Sequence, residues 1–270
     1  MRKRFGELSK QELVKGSNNY VLLGDISVGM FLDKDDNLPE RVFNMGIAEQ
    51  AMVGFAAGLS TAGGNVIVHT IAAFLVERAF EQIKLCCSYN NAKLTLISAN
   101  GPYDYDKLGP THHCPSDVSV LATLPNFNIR VPATVEDVEE AFAESMAGDR
   151  STYIRLTSRS AKVDNYTRVN NKWKKINGTN DDVAVVCIGE GLTYALTLNG
   201  LNTPIYWTTD PMTSLPEELV RYKAVIIYEP YTVPQIQVPN FMSEKSIIRK
   251  TFKREHNKIM EKNMGWGDFE

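Results

Sequence analysis

Two rhythms alternate along the first 160 residues. Short apolar runs recur at Asn19–Gly24, Val42–Met45, Asn65–His69, Ala92–Ala99, Asn128–Val131 and Thr152–Leu156. Each has the length of a buried strand. Between them lie segments of helical pattern: Lys3–Val14, Ile47–Thr61, a stretch opening at Thr70–Phe74 and running to about Tyr89, Ser116–Leu124, and Thr134–Ala147. Gly16, Gly63-Gly64 and Gly148 supply helix stops. Thr134-Val135-Glu136-Asp137 has the form of a capping box. Strands alternating with helices predict an α/β fold with a mostly parallel sheet.

The pattern breaks at residues 160–180, which are polar and strand-poor. It resumes at Asp182–Ile188, with further strands at Pro204–Trp207 and Ala224–Glu229 and a helix at Leu215–Tyr222. The expected division is a first domain at 1–162, a linker at 163–180 and a shorter second domain at 181–270, each a three-layer α/β unit. Gly189-Glu190-Gly191 makes a strand–helix turn but lacks the third glycine of a dinucleotide fingerprint. The tail from Phe252, with its Gly265-Trp266-Gly267, is charged and aromatic, which suits a docking arm.

Composition narrows the classes. A net charge of −3 argues against an electrostatically driven nucleic-acid partner. The basic Met1-Arg2-Lys3-Arg4 is followed by no apolar run, so no secretory signal is expected, and no run approaches membrane-spanning length. Cys86, Cys87, Cys114 and Cys187 form no CxxC pair, which fits a reducing cytoplasm. His112-His113-Cys114 is poor zinc geometry, and no metal site is expected on this chain.

The candidate chemistry centres on Gly46-Ile47-Ala48-Glu49-Gln50. Glu49 falls in the first turn of a helix leaving a strand end, the edge where open α/β sheets bind ligands. A first-turn carboxylate is also favoured by the helix dipole alone. The helix behind it carries Ala51, Gly54, Ala56, Ala57 and Gly58, which suits close contact in a core or across a subunit interface. A second candidate is the Gly/Pro/Tyr-rich loop from Asn100 to Cys114, long enough to be functional or disordered.

Gly46-Ile47-Ala48-Glu49-Gln50 followed by Ala51-Met52-Val53-Gly54-Phe55-Ala56-Ala57-Gly58-Leu59 resembles the pyrimidine-binding domain of transketolase and deoxyxylulose-phosphate synthase. The resemblance continues through Arg78-Ala79-Phe80-Glu81-Gln82, Gly109-Pro110-Thr111-His112, Leu124-Pro125-Asn126 and Val131-Pro132-Ala133, in family order. It implies thiamine diphosphate as cofactor. Glu49 then matches the glutamate that hydrogen-bonds N1′ of the aminopyrimidine, and His112 the histidine facing the substrate. Phe74 matches a cofactor-covering aromatic, although its place in a helix also suits a core residue. Ile71 stands where another Phe is usual, and Arg78 completes the cofactor-binding set. Ser27 and Asp25 lie in a loop that the family places near substrate, although a polar turn accounts for them equally. Arg155 and Arg159 sit where an arginine can clamp a substrate phosphate. A plain salt bridge is the competing reading for each.

Two positions depart from the family. Lys107-Leu108 replaces an acidic residue before Gly-Pro-Thr-His, and Asn100 stands where some transketolases carry a histidine. Both point to an unusual acceptor, with Asp104 and Asp106 as candidate substitutes. The chain also lacks the Gly-Asp-Gly … Asn signature that holds magnesium and the diphosphate. The resemblance therefore implies the small, C-terminal subunit of a split transketolase-like enzyme. A larger partner would supply the Mg²⁺ site, in an α₂β₂ heterotetramer. Other split thiamine enzymes (deoxyxylulose-phosphate-synthase-like, or 2-oxo-acid dehydrogenase β-like) and a non-catalytic regulatory subunit are the alternatives.

Overall fold

The computed structural model describes residues 1–198, 202–229, 242 and 246–251. The tail from Phe252 and the 230–239 stretch, where the family's Gly-rich helix start is not found in the sequence, lie outside the described residues.

The first six apolar runs form one parallel sheet in the order β2-β1-β3-β4-β6-β5. Its strands are β1 (Asn19–Leu23), β2 (Val42–Asn44), β3 (Asn65–Ile71), β4 (Leu94–Ala99), β5 (Phe127–Arg130) and β6 (Ser151–Arg155). Alternate residues face opposite layers. Val21, Leu23, Ile67, Ile97 and Ile154 pack with Phe5 of helix α1 (Arg2–Lys15) and Phe142 of α5 (Val135–Ala147). Leu22, Val66, Val68, Leu94 and Leu96 face the other way, toward Met52, Val53 and Ala56 of α2 (Glu49–Thr61) and toward Leu75, Val76 and Ile83. The last three lie on a helical run over 73–89. It is wide-turned at Ala73–Arg78 and Ile83–Tyr89, with a regular turn, α3 (Phe80–Gln82), between; the short helix α4 (Asp117–Leu121) precedes β5. The predicted capping box is present, with Thr134 Oγ1 accepting from Asp137 N–H and the Asp137 carboxylate accepting from Thr134 N–H.

The second sheet has the order β12-β11-β9-β10-β8-β7. Strands β9 (Val183–Ile188), β10 (Ile205–Thr208), β11 (Ala224–Glu229) and β12 (Ser246–Thr251) run parallel. The segment expected to be a strand-poor linker contributes β7 (Thr167–Arg168) and β8 (Lys174–Ile176), both antiparallel, and buries Trp173. Three other segments also differ from expectation. The run at Val42 makes an edge strand in which only Val42 is buried, because β2 has one neighbour. Strand β3 continues through Thr70 to Ile71, so the following helix starts at Ala73. The Leu215–Tyr222 segment holds only a tight 3₁₀ turn at Glu217–Arg221, started by Pro216.

The two units are tightly joined. Val131 N–H donates to Thr209 O at 2.7 Å, and Lys174 Nζ pairs with Asp137 and Glu140 of α5. Gly189 has φ +52°, and a Cβ there would meet Val131 Cγ1 at 2.3 Å, so this crossing requires glycine.

Candidate active site

The carboxyl ends of β1 to β4 share one edge of the first sheet, since all four strands are parallel and in register. Four of the residues singled out by sequence meet at this edge. Glu49 is the first residue of α2, delivered there by the turn after β2 in which Gly46 takes φ +66°. Its side chain is 1% exposed and is held by Arg78, whose Nη1 donates to Oε2 at 2.7 Å. Oε1 accepts no hydrogen bond from the described residues. The Arg78 guanidinium also covers the Phe74 ring, with Cζ 4.1 Å from the centroid. On the same ring, His112 makes an edge contact at 5.0 Å. His112 ends a 3₁₀ turn, Pro110–His112, and its Nδ1 lies 3.0 Å from Thr111 Oγ1. Tyr105 adds a further edge contact to His112 at 6.0 Å. The result is a continuous row: carboxylate, guanidinium, aromatic face, imidazole, phenol.

Ile71 ends β3 opposite Ala99 and is buried. Asn100 leaves β4 with φ +68° at the same edge, half-buried. Ser27, also left-handed at φ +61°, hydrogen-bonds His69 Nε2 at 3.0 Å. The Asp25 backbone N–H donates to Asn44 Oδ1, which also accepts from Gly46 N–H, so the loop after β1 is tied to the approach to Glu49.

The structure does not bring the two later arginines into this row. Arg155 is 1% exposed and pairs at 2.8 Å with Asp117, itself fully buried and hydrogen-bonded by Tyr153 Oη. Burial leaves Arg155 no open face toward a substrate. Arg159 lies at the joint between the two units, with Nε 3.9 Å from Asp104 Oδ1 and Nη1 donating to Tyr194 Oη. Asp104 faces inward, accepting from Gly101 N–H, Ser158 N–H and Thr157 Oγ1, and so staples the start of the His112 loop. Leu108 is 55% exposed. Among the described residues no group of three His, Cys, Asp or Glu side chains could hold a metal, and all four cysteines are free.

Sequence reasoning passed over Tyr105, His69 and Glu190. Among the described residues His69 is the one histidine within a buried strand, and that interruption of an apolar run is its only signal in the sequence. Burial pushes its pKa down to about 4. Glu190 is buried beside Thr157, with its pKa pushed up to about 7 by burial.

With this geometry in hand, the comparisons agree on a class. Residues 1–162 match the family model for the transketolase pyrimidine-binding domain, and the chain belongs to that family. The particular relatives are more varied. The chain is 37% identical over 154 residues to an uncharacterized 33.6 kDa protein in the fasciation locus of Rhodococcoides fascians, covering 57% of this chain and 49% of that one. It is 36% identical over 118 residues to one of the subunits of the apulose-4-phosphate transketolase of Actinobacillus succinogenes, covering 44% of this chain and 38% of that one. The chain thus spans less than half of each of these relatives. In fold it matches a solved split-gene transketolase, described as an inactive beta4 tetramer, with a TM-score of 0.71 at 21% identity, over 96% of this chain and 95% of that one. It also matches Campylobacter jejuni transketolase, with a TM-score of 0.73 at 14% identity, over 97% of this chain and 44% of that one.

Proposed function

We propose that this chain is the small subunit of a split, thiamine-diphosphate-dependent transketolase-like enzyme that moves a two-carbon ketol unit between sugars or sugar derivatives. The observation that carries the reading is Glu49: a buried carboxylate at the sheet's ligand edge, with one oxygen held by Arg78 and the other without a hydrogen bond from the described residues.

These residues suit the aminopyrimidine of the cofactor. Glu49 Oε1 would accept a hydrogen bond from the ring and favour the protonated ring nitrogen. Phe74 offers an aromatic face and Ile71 an apolar one at the same edge. The Arg78 guanidinium, which already lies against both Glu49 and Phe74, would swing to the rim to admit the ring. Thiamine diphosphate, when bound, supplies the nucleophilic carbon on which the ketol unit is carried. His112, in contact with Phe74 and half-buried, would pass protons to and from substrate oxygens near neutral pH. Asn100 and Ser27 would meet substrate hydroxyls, with Arg159 further out and Arg155 left to its partner Asp117. Exposed Leu108, in place of an acidic residue, favours an acceptor other than the common sugar phosphates.

Magnesium and the diphosphate would be held by a larger partner subunit, which fits the missing Gly-Asp-Gly signature. The exposed face of α2, with Ala51, Gly54, Phe55 and Gly58, suits close packing against another subunit in an α₂β₂ assembly in the cytoplasm. Calorimetric titration of thiamine diphosphate and magnesium into the chain, alone and with the candidate large subunit, tests the reading. Binding only in the mixture is the expected result. A stable complex that binds no cofactor would overturn it in favour of a regulatory subunit.

A further inference from the structure

The environment of Ser27 fixes the direction of its hydroxyl. His69 stands in the middle of β3, fully buried, with Nδ1 2.9 Å from Ile97 O and Nε2 3.0 Å from Ser27 Oγ. A carbonyl oxygen can only accept, so Nδ1 carries the proton. The ring is held neutral at physiological pH: burial first, with a smaller contribution from the nearby Arg2 charge, lowers its pKa to about 4 against the opposing pull of the Ile97 carbonyl. Nε2 is then a bare lone pair. The Ser27 hydroxyl has one proton, and it points at Nε2.

Ser27 is also held from the backbone side. Its φ of +61° is uncommon for a residue with a β-carbon. Such strain persists where the surroundings over-determine it. Here Asn44 Nδ2 donates to Asp25 Oδ1 while Asn44 Oδ1 accepts from Asp25 N–H and Gly46 N–H. The loop is thereby clamped between the strand bearing His69 and the turn leading to Glu49. What Ser27 Oγ retains for the open edge of the sheet is lone pairs and no proton.

We propose that His69 is a positioning residue that makes Ser27 an acceptor-only hydroxyl, selecting a substrate that presents a hydroxyl donor at this point. The assignment rests on the ketol-transfer reading for its substrate class, polyhydroxylated ketoses, and on the hydrogen bonds above for the hydroxyl's direction. It explains why a histidine stands at this buried position of the strand: an aliphatic residue would fill the space but leave the Ser27 proton free to turn outward.

Two measurements test it. In side-chain ¹⁵N–¹H spectra of the labelled chain between pH 6 and 8, His69 is expected as the neutral Nδ1–H tautomer, and Ser27→Ala should move its Nε2 resonance. An Nε2–H tautomer or a charged ring would overturn the proposal. In the complex with the large subunit, with D-xylulose 5-phosphate as the probe ketose, Ser27→Ala and His69→Asn should each raise KM about 5- to 10-fold, the worth of one hydrogen bond. Each should leave kcat and thiamine diphosphate affinity unchanged, and the double variant should be no worse than either single one. Asn keeps a donor for Ile97 O, which guards against loss of fold. Additive effects, or an unchanged KM, would overturn it. A wild-type complex that binds no thiamine diphosphate counts against the ketol-transfer reading instead, and the tautomer result still decides the Ser27–His69 pair.

Discussion

Two of the arginine–carboxylate pairs in the first sheet's unit, Arg155–Asp117 and Arg78–Glu49, share a short contact and a buried carboxylate but differ in the exposure of the cation. Arg155 and Asp117, 2.8 Å apart, are 1% and 0% exposed. Both Asp117 oxygens are used: Oδ1 by Arg155 and Val118 N–H, Oδ2 by Tyr153 Oη. Arg78 and Glu49, 2.7 Å apart, have a buried carboxylate but an arginine 41% exposed, and among the described residues Glu49 Oε1 accepts no hydrogen bond. A sealed pair has no capacity left for a ligand and serves the fold. A half-open pair, at the carboxyl edge of the strands and against an aromatic face, has capacity left on both partners. Exposure of the cation and unused acceptor sites, rather than the presence of an ion pair, are what set the proposed binding position apart from the structural one.

The largest expected effect breaks the half-open pair chemically without removing its shape. On the proposed ketol-transfer reading, Glu49→Gln should lower turnover of the complex with the large subunit by about 10²–10⁴-fold, the usual worth of a positioned acid–base group. Steady-state kinetics measure this, and thermal unfolding of the chain should change little because the amide still accepts from Arg78. Near-wild-type turnover would move the chemistry away from Glu49.

The sealed pair should fail in the opposite way. Asp117→Ala leaves the Arg155 cation buried without its partner. The chain should lose about 3–5 kcal/mol of stability in urea unfolding, as for other broken buried pairs. A loss under about 1 kcal/mol would mean that Arg155 reaches water, which would return it to the substrate-binding candidates.

How far each pair was legible in the sequence follows from how local its causes are. The Thr134–Asp137 capping box and the Gly148 stop are set within a few residues, and both stand where the pattern puts them. Glu49 was legible because its motif is contiguous and starts a helix. The contact of Arg155 with Asp117 spans 38 residues and depends on β6 lying beside β4, which no local pattern encodes. The same holds for β2: whether an apolar run becomes an edge or a centre depends on strand order. Polar residues 163–180 hid two strands because β7 and β8 lie at the sheet's end, where one side needs no apolar cover. Asp104 is visible in the sequence as an acidic residue, but its inward turn onto Gly101, Thr157 and Ser158 is set only by the folded loop.

A third carboxylate sharpens the contrast by titrating. Thr157 Oγ1 lies 3.1 Å from both Asp104 Oδ2 and Glu190 Oε2, and it accepts from Arg159 N–H. One hydroxyl proton cannot serve two ionised carboxylates. Burial, reinforced by the Asp104 charge, raises the Glu190 pKa to about 7 from its ordinary 4.5, while Arg155, Arg159 and the Thr157 bond pull it down. The folded chain therefore holds this proton more tightly than the unfolded chain. The stability it contributes is complete below pH 4.5 and is lost as pH rises through about 7, by about 3 kcal/mol at most. The difference in unfolding free energy between wild type and Glu190→Gln, measured from pH 5 to 8, should shift by about that amount in favour of the variant. A pH-independent difference would mean that Glu190 is already ionised at the acid end of this range.

The smallest effect is expected where the half-open pair is cut from its exposed side. Arg78→Ala removes the only hydrogen bond that Glu49 accepts from the described residues, yet water can enter the space that the guanidinium leaves. The lost Coulomb attraction is screened on that side, so the cost should be about 1 kcal/mol, well below that of Asp117→Ala. Urea unfolding of the two variants side by side is the direct measure. Equal losses would show that Glu49 is sealed as Asp117 is, and the distinction between a site and a strut in this sheet would have to rest on chemistry other than exposure.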